Sequence, residues 1–262
     1  MADAIAHCSK SGHQARNHQA RDNNYPIQKM RVLGLLGGTT YHATLVVYYK
    51  EINDYVQKQL GGGHSSKLVL HSFDYAEIVG VFQAGDFDEV RRQLCLTATN
   101  LKSVGAEAIV LCVNTNHRWA EDIEEATGLP LLHMIDFTGD AIVQAGLNKI
   151  ALLGTRLVME QDFLKKRLET KYNIQVLVPS SQETRSRMNN IIFQELSTSA
   201  ATPESKQLYL DAVEALFDQG AEGVILACTK LQFILKPEDV EKPLFDTVEL
   251  HARGVARWQL EE

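Results

Sequence analysis

Residues 105–115 read GAEAIVLCVNT, and residues 220–230 read GAEGVILACTK. Each phrase opens on Gly-Ala-Glu, runs through a stretch of apolar residues and ends on a polar cluster. An apolar run without alternation is how a strand covered on both faces of a parallel sheet is written. One chain that writes the same strand twice implies a duplicated unit. Aligned without gaps, Val113 falls opposite Cys228.

The repeat extends beyond these phrases. GLLGGTT (34–40) resembles ALLGTRL (151–157), which matches Gly37 to Gly154, 117 residues on. The Gly-Ala-Glu phrases lie 115 residues apart, and Pro130-Leu-Leu and Pro243-Leu-Phe lie 113 apart. That period is far too long for a solenoid and is the size of an ordinary domain. Buried strands are predicted at 31–37, 67–73, 108–113, 129–135, 149–154, 174–179 and 223–228. Helical patterns at 42–60, 86–103, 158–170 and 204–219 lie between them. This alternation predicts an α/β fold of two similar domains related by pseudo-two-fold symmetry. Each is a parallel sheet flanked by helices. The expected division is 30–137 and 138–247, with 248–262 a helix that packs back on the first domain.

Composition limits the function classes. The 262 residues are 45% hydrophobic and carry a net charge of −7, with no block of Lys and Arg. A nucleic-acid surface needs a basic stripe, so none is expected. No apolar run is long enough to cross a bilayer, so no membrane association is expected either. Cys8, Cys95, Cys112 and Cys228 are scattered and form no CxxC pair. That excludes a disulfide framework and a zinc ribbon and points to a reducing, cytoplasmic setting. Residues 1–29 are polar, lack the apolar stretch of a signal peptide, and are expected to be a disordered tail.

Open α/β sheets bind ligands beyond the carboxyl ends of their strands. Four polar clusters sit there: GGTT, VNTNH, GTR and CTK. GLLGGTT lacks the Lys-Ser/Thr of a phosphate loop and the spacing of a dinucleotide fingerprint. It is either a tight glycine turn or an anion site of backbone N–H groups, with Thr39 and Thr40 adding hydroxyls. A carboxylate suits it as well as a phosphate. Asn114 and Thr115 are either capping residues or ligand donors. His117 is either structural or catalytic. Cys228 is either a core thiol or a reactive group at the cleft. Cys112 precedes the matched position by one, so strand alternation turns it into the core.

At these residues the chain resembles the cofactor-independent aspartate/glutamate racemase superfamily. The likeness spans about Arg31 to Ala256. GLLGGTTYHATLVVYYKEIN resembles the opening block, and NTNH (114–117) resembles an Asn-Thr-x-His block. LLGTRLVMEQDF (152–163), ILACTKL (225–231) and LFDTVELHA (244–252) resemble later ones. The resemblance implies proton transfer at the carbon alpha to a carboxylate, without a metal or cofactor. In the usual pattern a cysteine from each domain faces each side of that carbon. Asn114, Thr115, Thr155 and Thr229 carry over to carboxylate-gripping positions. The implied substrate is an acidic amino acid or related small carboxylate, and a homodimer is a reasonable assembly.

Two positions depart from the pattern. The first catalytic position is Val113, and Lys230 stands where Glu usually follows Cys-Thr. Lys230 could lower the Cys228 pKa, bind a second carboxylate, or lie at the surface. Three readings stay open. One is a racemase or epimerase with Cys228 and a non-standard group, a bound water or His117, on the other face. The second is a single-cysteine decarboxylase of the arylmalonate type. The third is an inactive carboxylate-binding homologue.

Overall fold

The computed structural model describes residues 29–39, 42–196 and 201–261. The expected disordered tail, save Lys29, and Thr40 lie outside the described residues. In chain order the elements are β1 (Leu33–Gly37), α1 (Lys50–Leu60), β2 (Leu68–Ser72), α2 (Tyr75–Gln83), α3 (Phe87–Ser103), β3 (Ala108–Leu111), α4 (Ala120–Thr127) and α5 (Met134–Gln144). The second half has β4 (Lys149–Gly154), α6 (Arg156–Glu160), α7 (Asp162–Tyr172), β5 (Gln175–Leu177), α8 (Gln182–Asn190), α9 (Pro203–Asp218), β6 (Val224–Ala227), β7 (Leu244–Asp246) and α10 (Thr247–Leu260). A π-helical segment, His42–Tyr49, leads into α1, and another, Ile191–Glu195, follows α8.

The strands form two parallel sheets, ordered β2-β1-β3 and β5-β4-β6-β7. Every residue of β1, β3 and β6 is buried, as their unbroken apolar sequences require. The sequence offsets reappear as register. Leu36 pairs with Leu111, and their repeat counterparts Leu153 and Leu226 pair in the second sheet. Ile109 forms a single parallel bridge to Leu131, and their counterparts Val224 and Leu244 pair between β6 and β7.

Several local expectations differ from the structure; β2 and β5, expected as buried strands, are edge strands that are only partly buried or exposed. Residues 129–135 make only that one bridge, not a strand. Pro130 has no N–H to give a ladder, and the side chain of His133 already caps α5 by accepting from the N–H of Ile135 at 3.2 Å. The helix expected over 158–170 is broken at Gln161, whose extended backbone (φ −92°, ψ 162°) separates α6 from α7.

The two halves exchange their last helices. α5 closes the first repeat, yet Ile135 and Ile142 are fully buried in the core beneath the second sheet, beside Ile150, Leu152 and Ile225. α10 closes the second repeat, yet Val248 and Val255 are buried against the first sheet, beside Leu33, Ala108 and Val110. By the 113-residue offset Ile135 matches Val248 and Ile142 matches Val255, so the exchange is reciprocal. The division expected at 137 and 138 falls inside α5. α5 and α10 also pack on each other. At Gly254 the approach is so close that a Cβ would collide with the ring of Phe137.

Removing a fully buried aliphatic side chain costs the lost transfer energy plus that of the residual cavity. Ile142→Ala is therefore expected to destabilise the protein by about 2–5 kcal/mol. Because Ile142 joins a first-repeat helix to the second sheet, the loss should appear as one cooperative shift in urea unfolding. A separate early transition would contradict the exchange as a single folding unit.

Candidate functional site

The carboxyl ends of β1, β3, β4 and β6 border one cavity of about 610 Å³. Its position follows from the topology, since β1 pairs with β3 and β4 with β6, and the matched ends of the two pairs meet there. Thr39, Val113, Asn114, Thr115, Thr155, Cys228, Thr229 and Lys230 all line it. Val113 and Cys228, matched in the repeat, therefore share one cavity. Thr40 lies outside the described residues, and His117 is not among the lining residues.

The loop after β1 is shaped by Gly38. Its φ is +88°, and a Cβ there would strike the backbone of Phe73, which donates its N–H to Gly37 O at 3.0 Å. This brings Thr39 to the cavity. In the second half, Thr155 occupies the corresponding turn and caps α6, its hydroxyl accepting from the N–H of Val158 at 3.4 Å. The N–H of Arg156 donates to Asn189 Oδ1 at 2.9 Å, which fixes the end of α8 at the cavity wall.

Asn114 is oriented by a short relay across the two halves. Thr247 donates its hydroxyl to Leu226 O at 2.9 Å, so its oxygen is left to accept from Asn114 Nδ2 at 3.0 Å. The amide orientation follows, and Asn114 Oδ1 is left buried without a protein partner. A buried acceptor without a donor is costly.

Cys228 lies just past β6, half-buried, with part of its surface on the cavity. Burial pushes its thiol up. The N–H and the ammonium of Lys230 pull the other way, and Asp246 adds to the rise. The net direction is upward, so the resting group is a thiol. Lys230 is 8% exposed. Its Nζ donates to Ile192 O at 3.4 Å and lies 5.6 Å from the ring centroid of Tyr75 and 5.5 Å from that of Phe193. Desolvation lowers its pKa, and Cys228 opposes that shift. Lys230 is thus a buried cavity cation rather than a surface side chain. Cys112 is packed in the first core, where burial pushes its thiol far up.

His117 belongs to a buried cluster behind the site. Its Nδ1 donates to Val113 O at 3.0 Å and its Nε2 accepts from the N–H of Met134 at 3.1 Å. With both nitrogens engaged by backbone, it fixes the loop after β3 and cannot reach a substrate from this position. Its ring centroid lies 4.5 Å from that of His133 and 5.9 Å from that of His251. His251 donates from Nε2 to Leu132 O at 2.7 Å, so Nδ1 must accept from Tyr48 Oη at 2.6 Å. Burial holds all three histidines neutral, lowering His117 to about 4 and His251 to about 3. Among the described residues no group of three or more His, Cys, Asp and Glu is placed to hold a metal. No helix among them is long and apolar enough to cross a membrane.

Sequence reasoning did not single out the cavity's side walls. One is α2, through Tyr75, Ile78, Val79 and Phe82; the other is the end of α8 and the π-helical segment, through Asn189, Asn190 and Phe193. The i, i+3, i+4, i+7 spacing on α2 was a visible signal of an apolar helix face. Its direction toward the cavity was not visible.

Two duplicated α/β halves place a thiol, hydroxyls and amides around one cavity at the ends of paired strands, the arrangement of a protein class that works at a shared interdomain site. The chain belongs to the Asp/Glu/hydantoin racemase family, whose pattern matches residues 36–255. It is 26% identical over 225 residues to the broad specificity amino-acid racemase RacX of Bacillus subtilis, across 82% of this chain and 92% of that one. Its structure resembles that of a proposed Asp/Glu racemase from Yersinia pestis (TM-score 0.83, 41% identity, 88% of this chain and 100% of that one). It also resembles PH1733, an aspartate racemase homologue from Pyrococcus horikoshii (TM-score 0.73, 31% identity, 88% and 100%). The named relatives are racemases, which sets the chain among the isomerases.

The histidine cluster makes an acid-stability prediction. An unfolded histidine takes a proton near pH 6.5, whereas folded His117 does so at about 4 and His251 at about 3. Between those values the unfolded chain holds more protons, so stability falls as pH drops below about 6.5. Asp246, whose carboxyl is raised by burial, acts in the opposite sense, but as one group against three. The urea midpoint should fall from pH 6.5 to pH 4, and His251→Leu should flatten that slope while lowering stability at neutral pH. An unchanged slope would rule out His251 as a contributor.

Proposed function

We propose that the chain is an amino-acid racemase or epimerase that works without pyridoxal phosphate, with Cys228 moving a proton at the carbon alpha to a carboxylate. The observation that carries this reading is that Cys228 and its repeat partner position, Val113, line one cavity together with Asn114 and four threonines. Hydroxyls of Thr39, Thr115, Thr155 and Thr229 are suited to grip a carboxylate, where the charge of an α-carbanion spreads. The family match supports an amino acid or related small carboxylate as substrate, with an acidic one implied by the relatives' names.

In this mechanism the Cys228 thiolate takes the α-proton and the electron pair passes into the carboxylate. A proton must then reach the opposite face for inversion. Val113 offers none there, so inversion requires a water or another group. The ammonium of Lys230 favours the thiolate electrostatically. His117 is assigned a positioning role through its bond to Val113 O.

A second reading is favoured by the valine and by the raised thiol. In a decarboxylation the C–C bond to one carboxylate breaks, CO₂ leaves, and the electron pair stays on the α-carbon. A neutral Cys228 then protonates one face and regains its proton from water. No base on the Val113 side is needed.

Incubation with L- and D-amino acids in D₂O distinguishes the readings. Cys228-dependent deuteration with inversion supports racemisation, and deuteration with retained configuration supports one-sided proton transfer. CO₂ release from a substituted malonate supports decarboxylation. Inertness in all of these, with a thermal shift on carboxylate binding, supports an inactive binder. Cys228→Ala should abolish turnover without unfolding the chain, and full activity in it would end the cysteine assignment. Val113→Cys should create or raise inversion by restoring a second thiol, about ten-fold or more if proton delivery limits the rate.

A further inference from the structure

The two side walls of the cavity occupy matching places in the repeat but differ in chemistry. α2 follows β2 and α8 follows β5, the edge strands that pair with β1 and β4. On α2, Tyr75, Ile78, Val79 and Phe82 all line the cavity. Their spacing puts them on a single face of the helix. Aligned by their first helical residues, the same positions of α8 are Gln182, Arg185, Ser186 and Asn189, of which only Asn189 lines the cavity, beside Asn190 and Phe193. Phe87, at the start of α3, extends the apolar wall.

This wall begins beside the reactive strand end. Lys230 follows Cys228 by two residues, and its Nζ lies 5.6 Å from the ring centroid of Tyr75. The cavity's 610 Å³ lies within the roughly 300–1,000 Å³ typical of sites that enclose drug-sized ligands. An aspartate or glutamate needs much less, and its side-chain carboxylate would gain nothing against Ile78, Val79 and Phe82. A ligand held by its carboxylate among the threonines has room for a large substituent, and α2 offers that substituent an apolar surface.

We propose that the α-carbon's side chain is large and apolar, of the aromatic or branched aliphatic class, and lies against the α2 face formed by Tyr75, Ile78, Val79 and Phe82. This inference rests on the carboxylate reading given above and changes only the side chain attached to the reacting carbon. The α2 face is then the specificity-determining surface for the reaction.

Two measurements on the full chain test it. In the first, catalytically silent Cys228→Ser is titrated with 3-phenylpropionate and with succinate. Burial of a ring against α2 should make 3-phenylpropionate bind about ten-fold tighter or more. In the second, α-deuteration in D₂O is compared for phenylalanine and leucine against aspartate and glutamate with the wild-type chain, and kcat/KM should favour the apolar pair. Val79→Ser combined with Tyr75→Ala, both at partly exposed positions, should remove most of the preference while leaving succinate binding unchanged. The binding preference without any deuteration would support this inference and end the proton-transfer reading. Deuteration of aspartate with succinate bound as tightly as 3-phenylpropionate, or tighter, would overturn the inference and leave that reading intact. Failure of either carboxylate to bind would overturn the inference as well.

Discussion

The reciprocal burial of α5 and α10 is the contact on which the site depends. Two α/β halves joined only by a linker would be free to separate, as domains with small polar interfaces do. Here Ile135 and Ile142 lie in the core of the second half, and Val248 and Val255 lie in the core of the first. Pulling the halves apart would expose four buried aliphatic side chains, each worth about 1.5–3 kcal/mol of burial. The strand ends therefore face a common cavity as a consequence of core packing, before any ligand is present.

The same exchange reaches the polar groups. α10 carries Thr247, which ties Leu226 O of the second sheet to Asn114 of the first. It also carries His251, which joins Tyr48 to Leu132 O. α5 begins beside His117, whose Nε2 takes the Met134 N–H. Each exchanged helix thus pins the loop after β3. The histidines serve this purpose as neutral donors and acceptors, and their burial is what makes acid costly to the fold.

Much of the backbone was legible in the sequence because the chain was duplicated. Near-constant offsets between Gly37 and Gly154, and between the Gly-Ala-Glu phrases, carry over to the pairings Leu36–Leu111 and Leu153–Leu226. The polar residues at the strand ends were legible for the same reason, since strand termini in such sheets point at ligand space. The exchange of helices was less so, because an amphipathic helix states that it has an apolar face and not which sheet will cover it. His117 shows the same limit. Its place in an Asn-Thr-x-His block allowed a chemical role, and only the positions of Val113 O and the Met134 N–H reveal that both nitrogens are engaged. The α2 wall was written plainly in its spacing, but a helix face can point to a core or to a cavity, and tertiary structure decides between them.

Duplication supplies two equal surfaces, and this chain has made them unequal at matched places. Cys228 has Val113 across from it, and α2 presents Tyr75, Ile78, Val79 and Phe82 to the cavity where α8 presents Asn189 and Asn190, with Phe193 just beyond them. Both changes act in one direction. Symmetric chemistry on the two faces of a planar carbon requires two proton carriers, and a small symmetric ligand requires no apolar wall. A cavity with one thiol and two walls of unequal chemistry can bind an asymmetric molecule in a single orientation. Orientation matters most when only one face of the carbon is served, because a ligand bound in reverse would present the wrong face to Cys228. Under the proposed proton transfer by Cys228, the valine opposite the thiol and the apolar wall act together, with the wall setting which face of the carbon meets the thiol.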